Sequence, residues 1–599
     1  LFRFILEQTG SLRLERRRGP SAASDQLGRW NGSAFPDDRP LRLRVLNVDD
    51  RLLVWIDGTV VLDVAYDGNE EVLGPWTNGP RLGANTVDVL LPYNFPEGTG
   101  NDSYGIGYSY NSGLQNQSVL YTLTSLDAPP QLLLDPNTLA KDGTVALSGV
   151  GVSHDGNLLA YGLSAAGSDW QEWRVRDVAT GKDLADIVKW IKFSGVAWTK
   201  DNKGFYYGRF DEPKAGAKSL EDLNFFHKLY HHKLGTDQSQ DTLVYEDKVH
   251  KEWQFVPAVT DDGKYLIITV AKGTDDKYRI LYQDLSKPGS KIVELVDNFD
   301  AEYTFVDSDG PVLYFKTDLK APKNKLIAID IRKPAERREL IAESADTLQH
   351  VSLVNNLFVA TYLHNATTQV KVFDKTGKQV KEVTLPGLGT SMGFGGRRNH
   401  KETYYAFTSY NIPPTIYRLD LTTFESKVWK QPQLKFNPQD FETKQVFYPS
   451  KDGTKISMFL THRKGLTQSG QNPTYLYGYG GFNIPIVPGF SVADLVWMEH
   501  GGVIAYANLR GGGEYGEEWH RAGTKLRKQN VFNDFISAAE WLIQNKYTST
   551  PKLSIAGGSN GGLLVGACIT QRPDLFGAAI PAVGVMDMLR FHKFTIGWE

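Results

Sequence analysis

One phrase recurs along this chain and constrains its fold more than any other feature. Between about Tyr108 and Lys435, a turn pair is followed again and again by a short apolar strand. Asp155-Gly156 precedes Leu158-Leu159-Ala160-Tyr161, and Asp201-Asn202 precedes Phe205-Tyr206-Tyr207. Asp262-Gly263 precedes Tyr265-Leu266-Ile267-Ile268, Asp309-Gly310 precedes Val312-Leu313-Tyr314-Phe315, and Asn355-Asn356 and His400-Lys401 continue the series. Residues of these types close tight reversals between strands. Their recurrence at intervals of about 45 to 60 residues is the length of one four-stranded propeller blade. With a first blade around Ser109 to Leu123, the count is seven. A β-sandwich array of similar spacing is the alternative. The ring is favoured because its blades leave only short protected edges, whereas open sheets of this extent expose strands to edge pairing.

After about Lys435 the texture changes. Tyr448 to His462 reads as a hairpin around Asp452-Gly453, and a strand at Thr474-Tyr475-Leu476-Tyr477 runs into Gly478-Tyr479-Gly480-Gly481. A buried strand follows at Gly502 to Ala507, then a helix capped by Asn533 with Phe535, Ala538, Ala539, Leu542 and Ile543 on its apolar face, then a strand at Leu553 to Ala556. Strand, helix, strand in that order indicates a parallel α/β sheet. Before about residue 105, Leu41 to Leu46 alternates, and Leu52 to Ile56, Asp57-Gly58 and Thr59 to Leu62 form a hairpin. The Arg-, Ser-, Gly- and Pro-rich stretch ahead of them reads as loop or linker.

The chain's 599 residues suit several domains. A net charge of −3 provides no field for a phosphate backbone, so nucleic acid is not expected as a partner; the one basic run, Arg13 to Arg18, reads as a solvated tail. No apolar run of about 18 residues exists to span a membrane. The single cysteine, Cys568, excludes an internal disulfide framework and suits a reducing, cytoplasmic setting. Leu1 in place of Met, and an apolar-aromatic ending at Ile596-Gly597-Trp598-Glu599, give the expectation of a fragment cut at both ends.

Chemistry concentrates at Gly557-Gly558-Ser559-Asn560-Gly561-Gly562, a G-x-S-x-G motif between an expected strand and a helix. Small flanking residues let the backbone turn sharply and hold the hydroxyl clear of the sheet. The competing reading is an ordinary serine cap on a glycine-rich turn. A nucleophilic serine needs a histidine base oriented by an acid, following it in the order Ser, acid, His. Only Asp574, Asp587 and His592 are obvious candidates after Ser559, and they lie too close in sequence; His592 reads as a packing or surface residue. The Asn560 N–H is the natural first oxyanion donor, and a Tyr hydroxyl from the 477–481 segment can supply the second. Gly511 to Gly516 lacks the lysine of a phosphate loop and reads as a tight structural turn, Cys568 reads as a packed thiol close enough to sensitise the site to thiol reagents, and no metal-ligand spacing is present. No cofactor is expected.

Tyr477 to Asn483, Asn508-Leu509-Arg510-Gly511-Gly512-Gly513-Glu514-Tyr515-Gly516 and Gly557 to Gly562 together resemble the prolyl oligopeptidase family, as do Asn111 to Ser118 and Gly584-Val585-Met586-Asp587-Met588. The resemblance runs from about Tyr108 to Gly597. It implies an all-β seven-bladed propeller (106–435) over an α/β-hydrolase domain, incomplete as written (436–599), with residues 1–105 as a small extra β unit of unrelated sequence. It implies a monomeric serine endopeptidase cleaving after proline in short peptides. Carried over by motif, Ser559 is the nucleophile, the Asn560 N–H and Tyr479 hydroxyl form the oxyanion hole, Phe482 and Val585 line the proline pocket, and Ile596 lines the outer one. The family's acid, histidine and substrate-binding arginine would lie beyond Glu599, and Trp598 is not matched to the family's proline-stacking tryptophan. Catalysis by residues 1–599 alone is therefore expected to be lost, and a non-catalytic propeller binding module with a hydrolase remnant is the second reading.

Overall fold

The computed structural model describes residues 116–593, apart from 124–127, 141, 142, 214–224, 274 and 433–435, together with eight strands within residues 1–111 that are described mainly as backbone. The chain divides into two compact units, residues 1–77 with 140–144 and residues 78–139 with 145–599.

In the first unit, Phe2–Leu6, Leu12–Arg16 and Asp25–Trp30 form one antiparallel meander, and Leu43–Val48, Arg51–Ile56 and Thr59–Ala65 form another. The hairpin expected at Asp57-Gly58 is present, with Ile56 paired to Thr59. The leading stretch, expected as loop, instead carries three strands. Its composition hides an alternation of apolar and charged residues, as in Leu12-Arg13-Leu14-Glu15-Arg16, and period two is what a strand requires.

The second unit contains seven four-stranded antiparallel meanders. The first takes Thr86–Asp88, Ile106–Asn111, Val119–Leu123 and Gln131–Leu134, so it draws one strand from the segment assigned by sequence to the extra β unit. The other six begin at Val145, Val196, Trp253, Tyr303, Thr347 and Thr390. Each of the six turn pairs read from sequence joins the first and second strands of one of these sheets. The long interval after Asp201 arises because the third sheet's second strand ends at Arg209 and its third begins only at Lys228.

Six apolar clusters lie at the seams between successive sheets. Leu133, Leu134 and Leu159 share the first, Trp173, Val188 and Phe205 the second, and Leu229, Phe255 and Ile268 the third. Ile267, Tyr303 and Phe315 follow, then Tyr314, Leu348 and Phe358, then Val354, Phe394 and Tyr405. Strands buried on both faces explain the near-continuous apolar runs after the turn pairs, because each blade is sandwiched by its neighbours.

The final sheet has six strands in the order Phe441–Pro449, Lys455–Arg463, Val503–Asn508, Thr474–Tyr477, Leu553–Gly558, Ala578–Ala582. The strands read from sequence as a parallel α/β sheet, Thr474–Tyr477, Val503–Asn508 and Leu553–Gly558, do pair parallel, and an antiparallel edge is added to them. The first three strands pair antiparallel, and the parallel part begins between Val503–Asn508 and Thr474–Tyr477. The first of the antiparallel pairs is the hairpin expected around Asp452-Gly453, with Tyr448 paired to Ile456 and Pro449 to Lys455. The helix expected to start at Asn533 runs from Gln529 to Gln544 with Lys528 as its cap residue, and Asn533 lies inside it, accepting a hydrogen bond from Gln529 Nε2 at 3.1 Å. Its buried face does carry Phe535, Ala538, Ala539 and Leu542, with Ile543 only partly buried, packed on Leu476, Val503 and Ile555 of the sheet.

Sheet and propeller share contacts within this unit. Thr390 Oγ1 donates to the Pro488 carbonyl at 2.6 Å, the Glu517 N–H to the Pro322 carbonyl at 2.8 Å, and Tyr410 packs against Phe459 and Tyr506.

Candidate active site

The strand Leu553–Gly558 runs straight into Ser559 and then into the helix Asn560–Gln571. Glycine is required on both sides of this corner. A Cβ on Gly557 would stand 2.6 Å from the Gly561 carbonyl carbon and 2.8 Å from the Gly478 oxygen, and one on Gly561 would stand 2.6 Å from that same oxygen. The compression places Ser559 at φ 54°, ψ −115°, a region that costs a side-chain-bearing residue about 1–3 kcal/mol. Two backbone bonds hold the corner: Ser559 N–H to the Ala582 carbonyl and Gly562 N–H to the Ser559 carbonyl, both 2.9 Å.

A capping serine would direct its hydroxyl to an N–H of the first helical turn. Ser559 makes no such bond and its side chain is exposed, so the hydroxyl is held clear of the helix N–H groups at the cost of backbone strain. Asn560, the first residue of the helix, has no acceptor for its N–H within that helix, and the helix end adds partial positive charge there.

Tyr479 reaches the same place from the loop after Thr474–Tyr477. Burial pushes its phenol above the ordinary value, against a hydrogen bond with the Ser559 side chain. The Asn560 amide Nδ2 donates to the Tyr479 carbonyl at 2.5 Å, and a Cβ on Gly481 would stand 2.5 Å from that amide nitrogen. Lys528 donates from Nζ to the Gly480 carbonyl and to Asn560 Oδ1, each at 2.9 Å. Sequence reasoning passed over this lysine.

Behind the loop, Arg510 is buried and bidentate to Asp534, with Nε to Oδ2 at 2.9 Å and Nη2 to Oδ1 at 2.6 Å; Asp452 takes its outer face at 2.5 Å. Ser450 completes the network, 2.5 Å from Asp534 Oδ1. Gly511, at φ 92°, packs so closely that a Cβ would meet the Gly480 carbonyl oxygen at 2.7 Å. Glu514 is fully enclosed and pushed up to about 7 by burial, while accepting from the Ile486 N–H at 2.8 Å. The glycine run is thus a tight structural turn.

Phe482 is exposed at φ 52°, three residues beyond Tyr479, and Val585 is exposed three residues beyond Ala582. Ile596 and Trp598 lie outside the described residues. Asp574 is bound to Arg572 at 2.7 Å, Asp587 pairs with Arg590, and His592 is an exposed side chain beside Phe591. Among the described residues, no imidazole or carboxylate bonds the Ser559 hydroxyl. Cys568 is fully buried, 3.9 Å from the Phe532 carbonyl, and burial pushes its thiol up to about 12. Also among the described residues, no group of three His, Cys, Asp or Glu side chains could hold a metal ion, and no helix is long and apolar enough to cross a membrane.

A strained serine between a strand and a helix N-terminus, in a mixed sheet of this order joined to a seven-bladed propeller, defines a serine hydrolase with an α/β-hydrolase domain. Residues 102–432 match the family described as prolyl oligopeptidase, N-terminal beta-propeller domain, and residues 488–599 match the prolyl oligopeptidase family. A prolyl endopeptidase of Elizabethkingia meningoseptica is 45% identical over 492 residues, covering 82% of this chain and 69% of that protein. Prolyl oligopeptidase A of Galerina marginata is 38% identical over 526 residues, covering 82% of this chain and 71% of its own. A structure of prolyl oligopeptidase B from Galerina marginata, bound to a 25mer macrocyclization substrate, superposes with a TM-score of 0.81 at 34% identity, over 87% of this chain and 75% of that one. The chain belongs to the prolyl oligopeptidase family of serine peptidases.

Proposed function

We propose that Ser559 is the nucleophile of an endopeptidase that cleaves on the carboxyl side of proline in short peptides through an acyl-enzyme. The observation that carries this reading is the strained, uncapped Ser559 beside the Asn560 N–H and the Tyr479 hydroxyl. Attack of Oγ on the scissile carbonyl places negative charge on its oxygen, and those two donors are aimed at it. Proline offers a compact apolar ring with no N–H, which suits exposed apolar side chains such as Phe482 and Val585. The propeller restricts access to short substrates, and the protein acts as a monomer without a cofactor.

A serine hydroxyl is a weak nucleophile without a base. Because no imidazole among the described residues reaches Ser559, residues 1–599 alone are expected to show neither hydrolysis of a proline-linked chromogenic peptide nor fluorophosphonate labelling of Ser559 at neutral pH. Appending a family C-terminal segment that carries the acid and histidine should restore both. Hydrolysis by residues 1–599 that disappears in Ser559→Ala would overturn the expected inactivity, and a completed chain that turns over substrate while labelled elsewhere would overturn the nucleophile assignment.

A further inference from the structure

Lys528 is an unusual neighbour for a serine elbow. Its amine is largely buried, and both of its hydrogen-bond partners, the Gly480 carbonyl and Asn560 Oδ1, are neutral. Among the described residues no carboxylate pairs with it. The other charged or titratable groups around it offer no relief: Arg510 is satisfied by Asp534 and Asp452, Arg527 and Lys525 are exposed on the same turn, and Tyr479 and Ser559 are neutral at ordinary pH. Lys528 also caps the helix Gln529–Gln544, the end at which the helix dipole disfavours a cation. Burial alone pulls its pKa down to about 8.

The two acceptors explain the placement. Gly480 directly follows Tyr479, and Asn560 carries the helix N–H beside the Ser559 hydroxyl; the Asn560 amide closes the triangle by donating to the Tyr479 carbonyl at 2.5 Å. We propose that Lys528 is a positioning residue of this site, whose ammonium clamps the Tyr479 loop to the head of the Asn560–Gln571 helix and so fixes the separation of the two oxyanion donors. It also sets a positive charge beside the pocket where negative charge develops during acyl transfer. The proposal rests on the Ser559 reading above. The charge is present below a pH near 8 and lost above it, so the clamp is tight in the neutral range and loosens in mild alkali.

The test does not depend on turnover. Ser-Asn occurs once in the chain, at 559–560, so labelling with carbonyl-13C serine and 15N asparagine isolates the Asn560 amide in a carbonyl-detected NMR spectrum. The wild-type signal should titrate with a midpoint near pH 8. In Lys528→Met it should be independent of pH and sit at the wild-type alkaline position; in Lys528→Arg, which keeps its charge throughout, it should stay near the wild-type neutral position. A flat wild-type profile from pH 6.5 to 9.5 overturns the proposal without any variant having to fold, as does a titration that survives in Lys528→Met. Failure here leaves the fluorophosphonate result on Ser559 unaffected, and failure there leaves this titration intact.

Discussion

Asp534→Ala is the sharpest probe of what supports the active-site loop. Asp534 is fully buried and accepts from Arg510 Nε at 2.9 Å, Arg510 Nη2 at 2.6 Å, the Arg510 N–H at 3.2 Å and Ser450 Oγ at 2.5 Å. Removing one partner of a buried pair typically costs about 3–5 kcal/mol, because the other charge is left uncompensated. Arg510 keeps Asp452, which hydrogen bonds from Arg510 hold down to about 2, but that carboxylate is half exposed and engages only the Nη atoms. The expected loss is therefore near the lower figure, about 3 kcal/mol. For a domain of roughly 150–250 residues, 1 kcal/mol shifts Tm by about 2–4 °C, so the calorimetric transition of the hydrolase domain should fall by about 6–12 °C. Asp534→Asn, which preserves shape and one acceptor, should fall less. A drop below about 2 °C for Asp534→Ala would falsify the reasoning, because Asp452 would then satisfy Arg510 alone.

Three further outcomes follow from the geometry. Gly557→Ala drives a methyl into the Gly561 and Gly478 carbonyls and should destabilise the hydrolase domain by about 1–3 kcal/mol, read as a lower urea midpoint; an unchanged midpoint would show that the corner relaxes freely. Cys568, contrary to the thiol sensitivity expected from its place in sequence, should resist Ellman's reagent in the native protein at pH 8 and react fully in guanidinium, since its buried thiol is pushed up to about 12; rapid native labelling would refute this. His232 is buried in the third blade; burial opposes its charged form, but Asp241 at 2.7 Å and Asp186 at 3.1 Å outweigh burial and raise its pKa. A raised histidine contributes stability that is fully present below its unfolded value near 6.5 and is lost as pH rises through the folded one. His232→Gln should therefore lower Tm more at pH 6 than at pH 9, and equal losses at both would contradict the charged assignment.

The blades were legible because each turn pair closes a reversal in which chemistry and geometry coincide: Asp262-Gly263, for example, has Gly263 at φ 71°, where glycine is at home. The serine corner was legible for the same reason, since its glycines answer to clashes that occur within a few residues of chain. Elements whose cause is distant were not. Asn533 looked like a cap, yet the helix starts at Gln529 with no side-chain cap bond, so tertiary packing rather than local chemistry sets its first turn. The strands before residue 31 were obscured by composition. Lys528 belongs to no motif at all; its role arises only where three segments, distant in sequence, converge on one amine.

The six seams between successive blades make the propeller a structure of local debts. The apolar packing of each blade is with its immediate neighbours, so a change in a connection that does not touch the hydrolase sheet leaves distant seams undisturbed. The stretch between Arg209 and Lys228 illustrates the freedom this gives: the third blade carries many more residues between two adjacent strands, yet its pairing remains that of a four-stranded meander. Lengthening a connection between two paired strands adds only slowly growing closure entropy. A longer connection at that place leaves the third blade's seams with the blades before and after it, such as Trp173 with Phe205 and Leu229 with Phe255, their own contacts.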